Sequence, residues 1–154
     1  MIATTASTRV LARTFRVLIV LDTLAFVCFA LLHRGVRIPL GFAVLQEPQR
    51  PYAVIVEGVA AILLALAATA VVTRRTWAWA AATVAHAVAL TGVLWGMIAI
   101  AAGRGPHTQL NDTFHRVMAV VLAAGLILLL TRRGRAALDA AGTPPVPAGN
   151  RAGR

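Results

Sequence analysis

Four long apolar stretches, separated by arginine-containing connections, constrain this chain more than any other feature of its sequence. They lie at about 15–33, 53–72, 77–102 and 114–131. A transmembrane α-helix needs about 20 consecutive, mainly apolar residues, and each stretch is near that length. Helices satisfy their backbone polar groups internally, as a bilayer requires. The sequence therefore predicts an all-α integral membrane protein with four transmembrane helices in an antiparallel bundle.

Composition supports a membrane-spanning domain and argues against nucleic-acid binding. Hydrophobic residues make up 59% of the 154-residue chain and charged residues 13%, whereas an average soluble domain is about a quarter charged. The net charge is +10, and all 15 basic residues are arginines. These arginines flank apolar stretches instead of lining one face, which is typical of membrane topology and anionic headgroups. We expect the lipid bilayer as a partner, and no nucleic acid.

The positions of the arginines predict an N-in/C-in topology. Ten of them lie in or next to the two terminal segments and the loop between the second and third stretches, and five lie in or next to the other two connections. Because cytoplasmic segments carry the excess of basic residues, both termini are predicted to be cytoplasmic. The exclusive use of arginine, with abundant alanine, glycine and valine, is typical of high-GC coding. We therefore expect a multi-pass protein of a bacterial plasma membrane.

This topology divides the chain into three parts. A cytoplasmic N-terminal segment occupies 1–14, the transmembrane domain 15–135, and a tail rich in alanine, glycine and proline 136–154. That composition predicts a disordered tail. The 34–52 connection has an apolar centre too short to span, which predicts an interfacial or re-entrant segment. The boundary positions of four aromatic residues predict a membrane-interface belt: Tyr52, Trp77, Trp79 and Phe114.

Polar side chains inside the stretches indicate which helix faces should point into the bundle, because such groups avoid lipid. Asp22 and His33 are eleven residues apart, close to three helical turns, and so share one face. Glu57 and His86 lie on stripes of small residues in the second and third helices. Asp22 and His86 are each roughly 10–13 Å inside the cytoplasmic boundary, by the helical rise, and are expected to meet. They would form either a proton-responsive pair or a hydrogen-bonded clamp between helices.

A second polar group is expected toward the outer boundary. The residues placed to line an outward-facing polar pocket are His33, Glu57, His107, Asn111, Asp112, His115 and Arg116. Four of them are candidate ligand- or proton-binding residues: His33, Glu57, Asp112 and His115. A simple ion pair of Glu57 with one of two arginines is the plainer interpretation: Arg34 or Arg116. His107 and His115 lack a tight metal-binding spacing, so no metal site is predicted.

No cofactor is predicted, and a bound haem or quinone is kept as an alternative. Two axial histidines must reach one iron at one depth, and His86 lies in the inner half of its helix. The other histidines lie at the outer edge, more than roughly 10 Å away along the helical rise. Only His33 and His115 are placed to form an axial pair.

The third helix carries Gly92 and Gly96, a G-x-x-x-G pattern that allows close helix packing. It indicates either a contact within the chain or a homodimer face. The sequence contains no nucleophile motif, phosphate loop, cysteine pair or dinucleotide fingerprint. We therefore predict that the protein is not an enzyme.

Two stretches resemble the DoxX-like small membrane proteins, a four-span family. One is the end of the first helix, Phe29–Arg34, followed by an apolar, proline-containing loop. The other is Val56–Leu64, an acidic residue followed by small residues and leucines. The likeness covers about 15–131 in outline. It implies a four-helix bundle and, for some members, a link to membrane redox complexes, with a role for Glu57.

These observations favour a non-enzymatic subunit of a membrane complex or a bundle that binds a small ligand. One alternative is a proton-coupled small-molecule transporter that acts as a dimer, with Asp22 as its carboxylate. Another is a redox subunit associated with quinone or haem. A homodimer or other membrane subunits are the partners that these hypotheses imply.

Overall fold

In the computed structural model, which describes residues 2–139, the chain forms five α-helices and one short β-hairpin. The helices are α1 (Ile2–His33), α2 (Pro51–Val72), α3 (Ala78–Ala101), α4 (Gln109–Leu130) and α5 (Arg132–Asp139). The first four are long and apolar enough to cross a membrane. The fold is thus all-helical apart from the hairpin, and its four packed apolar helices are compatible with a small multi-pass membrane protein.

Neighbouring long helices run antiparallel. The backbone N–H of Arg50, just before α2, donates to the carbonyl of His33 at the end of α1 (3.0 Å). The indole N–H of Trp79, early in α3, donates to the carbonyl of Leu129, late in α4 (2.9 Å). The bundle therefore has two distinct ends. We call the end with the 34–50 and 102–108 connections the hairpin end, and the end with the 73–77 connection and α5 the arginine end.

Small side chains bring α2 and α3 close together, whereas large aromatic rings fill the space between α1 and α4. The predicted interior stripes are buried: Glu57, Ala61, Leu64 and Ala68 on α2, and Ala82, His86 and Ala89 on α3. Phe29 stacks on Phe114 with 3.6 Å between ring centroids, and Phe26 meets Phe114 edge-on at 5.6 Å. Aromatic pairs of this kind add stability beyond the area they bury.

The predicted aromatic belt is therefore wrong for Phe114, which is only 8% exposed because its face of α4 turns toward α1. Tyr52 and Trp77 are exposed near the ends of their helices. Trp79 is half-buried, with the guanidinium of Arg135 lying 4.5 Å above its ring.

The connection between α1 and α2 folds as a β-hairpin, which the sequence did not predict; its interfacial or re-entrant placement stays a prediction. Strand β1 (Ile38–Pro39) pairs antiparallel with β2 (Val44–Leu45), so that Ile38 lies opposite Leu45. The turn places Gly41 at φ +85°, a conformation that favours glycine. The short apolar segment thus pairs its backbone polar groups with each other.

Three helix boundaries differ from the predicted ones. α1 begins at Ile2 and not near 15, because 2–33 contains no proline or glycine to end a helix. α4 begins at Gln109, where the Thr108 hydroxyl accepts a hydrogen bond from the Asn111 N–H (3.1 Å) as an N-cap. Residues 136–139 of the predicted disordered tail belong to α5, whose Ala137 and Leu138 are buried. The remainder of that tail, 140–154, lies outside the described residues.

Candidate functional site

A cavity of about 400 Å³ lies at the hairpin end, between the four long helices. Its buried polar lining comes from His33 on α1, Glu57 on α2, and Asn111 and His115 on α4, and Gln49, Arg50, Tyr52 and Arg104 also line it. The rest of the wall is mainly apolar, with rings from three helices: Phe26, Trp95 and Phe114. The structure therefore brings three of the predicted pocket residues, His33, Glu57 and His115, to one cavity.

His33 and Glu57 form a buried contact that joins α1 to α2. The imidazole Nδ1 lies 3.0 Å and 2.9 Å from the two carboxylate oxygens of Glu57. A nitrogen this close to both oxygens carries the proton and donates it. The Nε2 atom of His33 is buried and has no hydrogen-bond partner in the described chain. The predicted ion pair of Glu57 with Arg34 or Arg116 is wrong, since the carboxylate bonds to His33 instead.

Asn111 and His115 are fixed by hydrogen bonds to backbone carbonyls. The amide Nδ2 of Asn111 donates to the Pro106 carbonyl (3.0 Å), which leaves Oδ1 buried without a partner in the described chain. His115 Nδ1 lies 2.9 Å from the carbonyl of Asn111 and must donate to it. In neutral His115 the Nε2 atom is therefore a lone-pair acceptor. Both residues line the cavity, and Oδ1 of Asn111 is itself buried.

The two glycines of the G-x-x-x-G pattern contact other helices of the same chain. A Cβ at Gly92 would lie 2.9 Å from Val56 on α2. A Cβ at Gly96 would lie 2.8 Å from Cδ2 of His115 and closer still to its Nε2. The missing side chain at Gly96 thus makes room for the His115 ring, and both glycines line the cavity.

Asp22 and His86 meet, as their depths predicted, about one helical turn before Phe26 and two before Gly92, which line the cavity. The Oδ2 atom of Asp22 lies 3.5 Å from Nε2 of His86, and both side chains are buried. His86 Nδ1 is 2.8 Å from the Ala82 carbonyl and donates to it. The Nε2 lone pair would then face a carboxylate oxygen, so this contact is favourable only when the pair holds a further proton between those two atoms.

The remaining predicted residue, Asp112, lies outside the cavity lining. Its Oδ2 is 3.7 Å from Nδ1 of His107, in an exposed pair on the first turn of α4. Within residues 2–139, no three histidine, cysteine, aspartate or glutamate side chains are grouped closely enough to hold a metal ion.

Sequence reasoning missed the aromatic wall of the cavity. Phe26 lies four residues after Asp22 and seven before His33, which places it on the same helix face. That spacing could have identified Phe26 as a cavity residue. Trp95 stands between Gly92 and Gly96 and is 67% exposed. The G-x-x-x-G pattern indicates close helix packing, so it did not mark Trp95 as a cavity residue.

The tight fit of His115 against Gly96 predicts a specific effect of one methyl group. Gly96→Ala should destabilise the bundle by about 1–3 kcal/mol, since the ring is held by its bond to Asn111 and cannot move freely. Gly58→Ala is the matched control, because a Cβ there meets nothing within 4 Å. The control should be unchanged or up to about 1 kcal/mol more stable, because alanine favours helix. Thermal unfolding in mild detergent measures both; equal stabilities would contradict the described packing.

Comparisons of the chain with protein-family models, curated proteins and solved structures found no match. The DoxX-like resemblance therefore stays a prediction that rests on Phe29–Arg34 and Val56–Leu64. The geometry of the cavity and of the Asp22–His86 contact is the basis for any functional assignment.

Proposed function

We propose that the protein is a non-enzymatic membrane protein that binds a small ligand in the cavity at the hairpin end, alone or as a subunit of a membrane complex. One observation carries this proposal: a mainly apolar cavity of about 400 Å³ whose wall contains buried polar atoms without partners. Small-molecule sites have this composition, with a few fixed polar groups in an apolar pocket.

The unpartnered atoms support a ligand because they are unfavourable in an empty apolar site. A buried polar group that lacks a hydrogen bond costs about 1–3 kcal/mol. His33 Nε2 and Asn111 Oδ1 both have this property, and both residues line the cavity. A purely structural core would favour apolar side chains here, so these polar residues indicate a role beyond packing.

The cavity is accessible from the face of the bundle between α2 and α3. Val56 on α2 and Trp95 on α3 both line the cavity, and both are also exposed on the outer surface of the bundle. The outer surface of a membrane-spanning bundle faces lipid, so this opening suits a ligand that partitions into the bilayer.

Filling the cavity should abolish binding. Ala99 lines the cavity, and Ala99→Phe would place a ring in it; Ala80→Phe, at an exposed position of α3 outside the lining, is the matched control. After purification in mild detergent, mass spectrometry should find a copurified small molecule with the wild type and the control, and little with Ala99→Phe. The same molecule at equal amounts in all three samples would contradict the proposal. A visible spectrum of these samples would reveal haem.

The Asp22–His86 contact favours a second candidate function, proton-coupled transport. A pair that holds one further proton in an apolar interior can exchange it when its surroundings change. Asp22→Asn keeps a hydrogen-bond donor toward His86 Nε2 but removes the exchangeable proton. The half-buried carboxylate of Asp112, outside the cavity lining, supplies the matched control, Asp112→Asn.

Under this second function, Asp22→Asn should lose uptake driven by a pH gradient, while Asp112→Asn retains the wild-type rate. Proteoliposomes containing each protein, with ethidium as the transported cation and fluorescence as the readout, provide the measurement. If the wild type and Asp22→Asn take up ethidium at the same rate, transport coupled through this carboxylate is eliminated.

The proposed orientation has both termini in the cytoplasm of a bacterial cell, with the hairpin end outside. Arginines at the arginine end support it: Arg9, Arg13, Arg16, Arg74, Arg75, Arg132, Arg133 and Arg135. In a Cys28→Ala background, a membrane-impermeant maleimide should label Phe42→Cys on intact cells. It should label Arg75→Cys only after permeabilisation. Both positions are exposed, and the reverse labelling pattern would invert the orientation.

A further inference from the structure

A second cavity, of about 530 Å³, lies at the arginine end, between the N-terminal half of α1, the 73–77 connection and α5. Four of its lining residues are arginines: Arg9, Arg13, Arg16 and Arg74. We propose that this arginine cavity binds a phosphate group, carried by an anionic lipid headgroup or by a soluble phosphate ester. It lies at the opposite end of the bundle from the cavity described above, so this proposal does not rest on the proposed function.

One wall of the arginine cavity is a basic face of α1. Arg9, Arg13 and Arg16 are spaced by four and three residues, so they lie on the same side of the helix. Like charges at these spacings repel one another. α5 packs against α1, and its Ala137, which also lines the cavity, is only 1% exposed. The basic face is therefore enclosed on one side by packed protein, and an anion between the guanidinium groups would offset their repulsion.

Arg74 lines the cavity from a backbone conformation that favours glycine. Its φ is +55°, and within residues 2–139 it is the one residue other than glycine with a positive φ. The Arg75 N–H donates to the Ala70 carbonyl (2.9 Å), which is the bond of a Schellman motif that ends α2. Glycine is the usual residue at the position that Arg74 occupies in this motif. An arginine held there at a conformational cost indicates that its side chain has a use.

The acidic side chains of the chain do not neutralise these arginines. The sequence contains five aspartate and glutamate residues. Each contacts another group: Asp22 with His86, Glu47 with Thr108, Glu57 with His33, Asp112 with His107, and Asp139 with Arg135. In the part of the chain that the structure describes, no ion pair includes Arg13, Arg16 or Arg74. No aspartate or glutamate therefore supplies the counter-charge for this cavity.

Arg16 shows most clearly that a counter-charge is needed. The other three arginines of the cavity are exposed, whereas Arg16 is half-buried, and its Nε is fully enclosed with no hydrogen-bond partner in the described chain. An occupant cannot reach that atom, so the two terminal nitrogens of the guanidinium are the ones left for contact. A guanidinium withdrawn from water without an anionic partner is unfavourable, and an anion in the cavity would lower that cost.

The chemistry of guanidinium groups favours phosphate among anions. Each guanidinium presents a planar fork of N–H donors that matches phosphate oxygens. Phosphate also has enough oxygens to bond to more than one guanidinium at once, whereas a carboxylate has two. The apolar stretch of α1 begins at about residue 15, directly after these arginines. The cavity therefore lies at the level where lipid phosphates would meet a membrane-spanning bundle, and a soluble phosphate ester offers the same group.

Three water-soluble probes test the site on the full-length protein in a neutral detergent, with titration calorimetry as the readout. They are dihexanoyl phosphatidylglycerol, dihexanoyl phosphatidylcholine and glycerol 3-phosphate. We expect the phosphatidylcholine to bind about tenfold more weakly than the better of the other two, because the arginines repel its ammonium group. Tighter binding of phosphatidylglycerol than of glycerol 3-phosphate identifies a lipid as the source of the phosphate, and the reverse order identifies a soluble ester.

Equal binding of phosphatidylglycerol and phosphatidylcholine, or binding of none of the three probes, would overturn the proposal. Tighter binding of succinate than of either phosphate anion would overturn the choice of phosphate.

Matched variants separate a built site from general attraction to a basic protein. Arg16→Gln should weaken binding of the better phosphate probe about tenfold, the lower end of what a hydrogen bond to a charged group contributes. Arg75→Gln removes the same charge from the same end, but Arg75 does not line the cavity, so its effect should stay below about twofold. Equal weakening by the two variants would show that only the net charge matters, and the site would be rejected.

Arg74→Gly tests the cavity with a variant that the backbone should accept. Glycine suits the left-handed position, so this variant should unfold at the same temperature as the wild type or at a higher one. It should nevertheless bind the phosphate probe about tenfold more weakly. A lower unfolding temperature without any loss of binding would make Arg74 a purely structural residue and would remove it from the proposed site.

Discussion

The contact between His33 and Glu57 is the interaction on which the rest of the hairpin end depends. A carboxylate in an apolar bundle is unfavourable unless it is paired and hydrogen-bonded, and here both of its oxygens bond to one imidazole. The pair fixes the end of α1 beside the first turns of α2, where the Arg50 N–H also bonds to the His33 carbonyl. The cavity is bounded by this junction, so its geometry follows from how one buried carboxylate is satisfied.

The remaining two buried histidines depend on reciprocal glycines. His115 of α4 packs where Gly96 of α3 has no side chain, and His86 of α3 packs where Gly125 of α4 has none, with a Cβ there only 2.9 Å from the His86 Cδ2. Each helix thus supplies a ring and also the space for the other helix's ring. This exchange aligns α3 and α4 along their length, and it explains why small residues and histidines occur together in these helices.

The sequence was sufficient for those features that depend on single helices and insufficient for those that depend on contacts between them. Helix faces followed from spacing, so Asp22 and His86 were correctly placed together at equal depth. The partner of Glu57 was wrong because arginine is the usual counter-ion, and only the packed bundle shows that His33 is closer. The role of Asn111 depends on the Pro106 carbonyl in a connection between helices, which no periodicity reveals. The hairpin was missed because its apolar centre is too short for any clear pattern.

In each of the three buried histidines the Nδ1–H donates to a carboxylate or a backbone carbonyl, but the groups that surround Nε2 differ. In His86 the Nδ1–H is held by a backbone carbonyl, so Nε2 faces the carboxylate of Asp22, a contact that is favourable only when the pair holds a further proton. In His33 the carboxylate takes the Nδ1–H instead, so no shared proton is needed and Nε2 stays free beside the cavity. In His115 a backbone carbonyl again takes the proton, and no carboxylate competes for Nε2. The same pair of residue types therefore gives two different contacts. Deep in the bundle the carboxylate of Asp22 meets Nε2 of His86, whereas at the hairpin end the carboxylate of Glu57 meets Nδ1 of His33.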